Sequence, residues 1–91
     1  MGKHRNLQQL VDSATRLVIE YNKVVLLDYD APSVGLTIYK GDTIIYVDDG
    51  EHKYVYGGPK PAEGRALKQG LAHVKQLLHE YQEKEAETHA Q

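Results

Sequence analysis

The spacing of the apolar residues changes twice along this chain, and this change limits the folds open to it. From Leu7 to Tyr21 they recur at steps of three and four, which is typical of one face of an amphipathic helix. From Lys23 the spacing changes to two, and the β-branched and aromatic residues that favour strands dominate. After Gly57-Gly58, helical spacing resumes from Leu67 to Tyr81. The sequence therefore predicts helices over about residues 6–21 and 61–84, separated by strands.

Three turn signals divide the middle of the chain into four predicted strands, at about 24–29, 34–40, 43–48 and 51–56. The turns are Asp30-Ala31-Pro32-Ser33, Gly41-Asp42 and Asp49-Gly50. The last is typical of a type I′ hairpin, because glycine tolerates positive φ. The predicted fold class is α+β, in the order α-β-β-β-β-α, with a four-stranded antiparallel meander.

The predicted sheet is apolar on both faces, whereas each helix has a single apolar stripe. Either one helix covers each face or both helices cover the same face. We favour the second arrangement, because helices that flank an antiparallel sheet commonly lie on one side of it. It leaves an apolar face uncovered, which we expect to form a homodimer or to dock a protein partner. The residues predicted for this interface are Leu26, Tyr39, Ile44, Tyr46 and Val55.

Length and composition restrict the class of protein further. Ninety-one residues favour one domain, predicted over 1–82, and the acidic end of the chain over 83–91 is predicted to be a disordered tail. The chain has no cysteine, which excludes disulfide scaffolds and thiolate zinc sites and fits the cytoplasm. No apolar run approaches the ~20 residues of a membrane helix, so we expect no membrane association.

Five acidic residues are predicted to converge at one end of the sheet, where two of the turns lie. They are Asp28, Asp30, Asp48, Asp49 and Glu51. Clusters of carboxylates can hold Ca²⁺ or Mg²⁺, but aspartates are also common turn formers. Because no EF-hand spacing is present, we predict no metal site, and no other pattern indicates a cofactor.

Basic residues are predicted to gather at the opposite end of the sheet, near the start of the second helix. They are Lys23, Lys40, Lys60, Arg65 and Lys68. A helix N-terminus with lysines nearby favours anions, so the alternative function is binding of nucleic-acid phosphates. In architecture the chain resembles double-stranded RNA-binding domains, which run helix, three strands, helix and place basic residues at the start of the second helix. The predicted strand over 24–29 departs from that pattern.

The sequence contains no convincing catalytic residue. Neither Ser13 nor Ser33 lies in a Gly-x-Ser-x-Gly elbow. We therefore predict a non-catalytic interaction or regulatory module rather than an enzyme.

Overall fold

The computed structural model describes the backbone of residues 2–58 and 60–90 and the side chains of residues 7–58 and 64–85. Within these residues five elements follow one another along the chain. They are helix α1 (Gly2–Val24), strands β1 (Ser33–Tyr39), β2 (Asp42–Asp48) and β3 (Lys53–Tyr56), and helix α2 (Lys60–Ala90). The fold class is α+β, with two helices and a three-stranded antiparallel sheet.

The first helix continues into the segment where a strand is predicted. The Val25 N–H donates to the Tyr21 carbonyl oxygen at 3.0 Å, and the Asp28 N–H donates to the Val25 carbonyl oxygen at 2.9 Å, so the chain leaves α1 through a turn. The predicted strand over 24–29 is therefore wrong. Of the run VVLL only Val25 is buried, whereas Leu26 is 73% exposed, so the run lacks the alternation that a strand on a core requires.

The sheet has the strand order β1-β2-β3, and its two hairpins differ in their turns. Lys40 and Gly41 connect β1 to β2 with φ of 53° and 85°, the positive values that a type I′ turn requires. The predicted turn at Gly41-Asp42 is thus displaced by one residue, and the second loop consists of residues 49–52 rather than Asp49-Gly50 alone. In each hairpin the observed pairing differs from the predicted pairing by two residues. Because side chains alternate between the two faces of a strand, every residue of these strands keeps its predicted face.

Both helices pack on one face of the sheet. One buried cluster contains residues of both helices and the side chains of one sheet face: Ala14, Val18, Tyr21, Val25, Val34, Ile45, Val47, Leu67, Leu71, Val74 and Leu78. Val34 pairs with Val47, and the alternate residues Leu36 and Ile45 also pair, so these side chains point to the same side. The other side of the sheet has no helix against it within the described residues.

The two helices lie side by side and run in the same direction. A Cβ added at Gly64, early in α2, would lie 3.9 Å from Leu10 Cδ1, early in α1. Late in α2, Tyr81 lines the same depression as Lys23 and as Asp28, which follows the end of α1. The starts of both helices therefore lie at one end of the molecule, and the ends of both helices lie at the other.

The second helix extends further than the sequence predicts. Its backbone is helical through Ala90, across the stretch 83–90 that we expected to be a disordered tail. His79 Nε2 lies 3.0 Å from Glu83 Oε1 one turn later, and glutamate and lysine have good helix propensity. Residue 91 lies outside the described residues.

Gly70 permits the close approach of α2 to the sheet. A Cβ at this position would lie 2.9 Å from Tyr56 Cβ and 3.1 Å from Ile45 Cδ1, which is closer than packed side chains allow. The sequence indicates such a site, because this glycine falls in the apolar stripe of a helix although it weakens the helix by about 1 kcal/mol.

We expect Gly70→Ala to lower the free energy of unfolding by about 1 kcal/mol, because overpacking of ~1–3 kcal/mol exceeds the ~1 kcal/mol gained in helix propensity. Gly64→Ala is the matched control. Its new methyl group would make only an ordinary contact with Leu10, so we expect it to raise stability by up to about 1 kcal/mol. Urea unfolding of both variants measures the difference, and equal shifts in both would contradict the close packing at Gly70.

Candidate functional site

The candidate site is the face of the sheet that the helices leave uncovered, which we call the outer face. Tyr39 lies on it in β1, Ile44 and Tyr46 in β2, and Val55 in β3. Tyr46 stands directly opposite Val55, and Ile44 is two residues before Tyr46 on the same side. Val55 is 66% exposed, Tyr39 59% and Tyr46 44%, while Ile44 is half-buried. Four of the five predicted interface residues therefore share one face.

The fifth predicted residue, Leu26, does not belong to this face. It lies in the connection between α1 and β1, next to the exposed Leu27 and Tyr29. It lines an open depression of ≈ 430 Å³ between the end of α1 and the α2 residues Tyr81 and Glu85. The pKa of Tyr81 is raised to about 12, first by desolvation and then by its hydrogen bond to Glu85 and the negative charges of Glu85 and Asp28. This phenol therefore stays neutral at physiological pH.

Gly35 also belongs to the outer face, although it is not among the residues predicted for that face. It pairs directly with Tyr46, and a Cβ at Gly35 would lie 2.1 Å from the tip of the Tyr46 ring. The tyrosine side chain therefore lies across the bare backbone of the neighbouring strand, which buries Gly35. The available signal is a glycine in the interior of a strand pattern, which often marks a close approach of another group.

The predicted basic cluster is divided between the two ends of the molecule. Lys40 lies in the β1–β2 turn, and Arg65 and Lys68 lie early in α2. Lys60 begins α2, but its side chain lies outside the described residues. These positions share one end, because a Cβ at Gly57, just before α2, would lie 2.5 Å from the Thr43 carbonyl oxygen beside the β1–β2 turn.

Lys23 lies at the other end, in the last turn of α1. The neighbouring Asn22 donates from Nδ2 to the Val34 carbonyl oxygen at 3.0 Å, at the start of β1. Because β1 is an extended strand of seven residues, about 3.3 Å each, Lys23 is separated from Lys40 by the length of the sheet. Its placement with the other basic residues depended on the strand predicted over 24–29 and is wrong for the same reason.

The carboxylates at this second end form turns. The Asp28 carboxylate accepts the Asp30 N–H at 3.0 Å, and the Asp48 carboxylate accepts the Gly50 N–H at 2.9 Å. Asp49 Oδ1 accepts the N–H groups of Glu51 and His52 at 2.9 and 2.7 Å. Among the described residues, no group of three or more histidines or acids has the geometry of a metal site. The aspartates therefore satisfy backbone donors in the loops, as Asx turns do.

The inner face of β3 carries an aromatic group that holds α2 against the sheet. The Tyr56 hydroxyl and His73 Nδ1 share a hydrogen bond of 2.6 Å, and the His73 ring meets Tyr54 edge-on at 4.8 Å. Desolvation raises the pKa of Tyr56, with a smaller contribution from Tyr54. These half-buried tyrosines are packing residues, whereas the tyrosines of the outer face, Tyr39 and Tyr46, are exposed.

No protein-family model, no curated protein and no solved structure matches this chain. Neither helix, over its described residues, has an apolar stretch long enough to cross a membrane. The observations that bear on function are therefore the geometry of the sheet and the charges at its two ends.

The hydrogen bonds in the loop between β2 and β3 predict how the stability of the protein changes in acid. Backbone hydrogen bonds from His52 and then Glu51 lower the pKa of Asp49. A carboxyl whose pKa is depressed on folding contributes stability above its unfolded pKa of about 3.9, and the contribution is lost as the pH falls through the folded pKa. We therefore expect Asp49→Ala to be less stable at neutral pH and to lose less stability on acidification.

The control is Glu51→Gln, which removes a neighbouring carboxylate that accepts none of the loop's backbone hydrogen bonds described above. Urea unfolding from about pH 6 down to about pH 2 measures both variants. If Asp49→Ala keeps the full acid dependence of the natural protein, Asp49 does not carry it.

Proposed function

We propose that this protein is a non-catalytic interaction module that self-associates or docks a protein partner through the outer face. The observation that carries the proposal is the row of exposed apolar and aromatic side chains on a sheet face that no helix covers in the described part of the chain: Tyr39, Tyr46 and Val55. We also propose that it acts in the cytoplasm, which the absence of cysteine supports.

The composition of the outer face supports docking of a protein rather than simple exposure to water. Scattered single apolar residues are normal on a protein surface, but contiguous patches are not. Tyr46 and Val55 are cross-strand neighbours, and Ile44 extends the same patch along β2. Tyrosine is enriched at the centre of protein interfaces, because its ring buries a large area and its hydroxyl stays hydrogen-bonded.

Around the patch, the outer face carries polar groups suited to an interface rim. Asp48 and Lys53 pair directly at one end of the sheet, and Asp42 pairs with Tyr39 at the other. An apolar centre with charged residues at its margin is the usual arrangement of a protein interface.

The test is the double variant Tyr46→Lys/Val55→Glu, which places opposite charges at directly paired positions and leaves the net charge unchanged. The matched control is Ile19→Lys/Leu26→Glu, which makes the same charge changes at exposed apolar residues outside the sheet. Tagged natural protein and both variants are compared for solution mass by light scattering and for proteins retained from a cell extract.

We expect the outer-face variant to fold but to lose a partner that the natural protein and the control variant both retain. That partner must then form a complex with the natural protein when both are purified. If the outer-face variant keeps every association of the natural protein, the outer face is not the docking surface.

A second candidate, binding of nucleic-acid phosphates, is favoured by the separation of charge along the molecule. Lys40, Arg65 and Lys68 lie at the end where α2 begins, while the aspartates of the loops lie at the other end. The loss of the predicted strand over 24–29 also brings the element order to helix, three strands, helix. A local basic surface binds phosphates even when the net charge of the chain is -2.

The variant Arg65→Gln/Lys68→Gln tests this candidate, and Lys23→Gln/Lys53→Gln is its control, because it removes the same charge from the opposite end. Binding to duplex RNA and DNA is measured against salt concentration. We expect the first variant to bind more weakly and to reduce the slope of log K against log salt by about 2, since each phosphate contact contributes about 1. No binding of either duplex at low salt would eliminate the candidate.

A further inference from the structure

The free edge of β1 carries backbone N–H and C=O groups that make no hydrogen bond within the sheet. Tyr39 and Asp42 close a two-residue type I′ hairpin, so they exchange both backbone hydrogen bonds, and every second residue of β1 back from Tyr39 does the same with β2. The residues between them, Val34, Leu36 and Ile38, therefore point their N–H and C=O groups away from the sheet. Asn22 independently supports this assignment, because its side chain reaches the Val34 carbonyl oxygen from outside the sheet, at 3.0 Å.

The two edges of the sheet differ in their protection against pairing with another strand. β3 has only four residues, its outward-pointing Lys53 is charged, and Gly57 turns the chain away with φ of 145°. β1 has seven residues, SVGLTIY, without a charge or a proline. Only its first outward position is closed, by Asn22. An exposed, uncharged edge of this kind is a template for another strand.

We propose that β1 pairs antiparallel with β1 of a second copy of this chain. Leu36 faces the partner's Ile38, and Ile38 faces the partner's Leu36, about a two-fold axis at Thr37. Two N–H and two C=O groups from each copy then form four backbone hydrogen bonds, which use all the groups of Leu36 and Ile38 that point outward. The result is one continuous six-stranded sheet, within the usual size of antiparallel sheets.

Asn22 favours this register. In the neighbouring register, centred on Leu36, Val34 would have to bond to the partner's Ile38, and the Asn22 side chain would compete with the partner for the Val34 carbonyl oxygen. The register centred on Thr37 leaves that bond intact. It also brings no charged residue opposite a like charge, because β1 contains none. A second copy of the same strand meets these conditions in one symmetric contact, because the outward positions Leu36 and Ile38 lie two residues apart and face each other about the two-fold axis.

The pairing of β1 with a second copy explains why Ile38 is exposed in the single chain. Ile38 lies on the helix side of the sheet, in the same row as Val34 and Leu36, yet it is 71% exposed. Next to it in the dimer stands the partner's Leu36, which is half-buried. The two Leu36–Ile38 contacts extend the apolar layer across the junction. The outer face is not used, so this proposal goes beyond the proposed function and brings two outer faces side by side for a partner.

The first measurement is the solution mass of the natural protein and of Ile38→Pro across a wide concentration range. Proline removes an N–H that makes no bond to β2, and proline is tolerated at such edge positions. We expect the mass of two chains for the natural protein and for the control Ile38→Val, and the mass of one chain for Ile38→Pro. Ile38→Lys keeps the N–H but places a charge in the junction, and we expect it to be a single chain as well.

Amide hydrogen exchange of the natural protein tests the same bonds without a substitution. The N–H groups of Leu36 and Ile38 should exchange more slowly as the concentration rises. The Val55 N–H, which points outward from the other edge, should not change. If Leu36 and Ile38 exchange as fast as Val55 at every concentration, or if the natural protein has the mass of one chain throughout, the proposal is overturned.

The variants separate this proposal from the proposed function. A dimer that survives Ile38→Pro but is lost in Tyr46→Lys/Val55→Glu overturns the edge pairing and leaves the outer face as the surface of self-association. A dimer that is lost in Ile38→Pro and survives in the outer-face variant supports the edge pairing.

Discussion

The close approach of α2 to the sheet at Gly70 is the contact on which the arrangement of the other elements depends. Without a side chain there, the helix backbone reaches Tyr56 and Ile45 directly, and the neighbouring Leu67, Leu71 and Val74 are buried. This leaves α1 to cover the remaining part of the same face. Both apolar stripes are thus used on one side of the sheet, and the sheet itself must expose its second apolar side.

Much of this fold follows from periodicity alone. The two helices were predictable from the helical spacing of their apolar residues. The faces of the three observed strands were also predictable, because a register error of two residues leaves each side chain on the same face. The strand predicted over 24–29 failed, because a run of four apolar residues has no period. The hydrogen bonds to the Tyr21 and Val25 carbonyl oxygens show that the run ends the helix and forms a turn. The extension of α2 to Ala90 was also missed, since a polar helix end has no apolar stripe to reveal it.

The part of the candidate site that could be predicted is the part that depends on the alternation of side chains between the two faces of a strand. Tyr39, Ile44, Tyr46 and Val55 share a face for that reason, whereas Leu26 and Lys23 were misplaced together with the wrong strand. The cover of Tyr46 over Gly35 depends on which residues pair across the hairpin, and the two-residue offset in the predicted register hid it. Likewise, the bond from Asn22 to Val34 joins two elements through a polar side chain, for which the apolar pattern carries no signal.

The parallel orientation of α1 and α2 also gives the molecule an electric polarity. Each helix contributes partial positive charge at its start and partial negative charge at its end, and here the two contributions add. Lys40, Arg65 and Lys68 at one end and the loop aspartates at the other act in the same direction. A single chain therefore carries a dipole moment along its 51 Å length and turns its basic end toward a polyanion during approach. Two chains joined in antiparallel fashion at β1 would point these moments in opposite directions, so that association would abolish the steering that the single chain possesses.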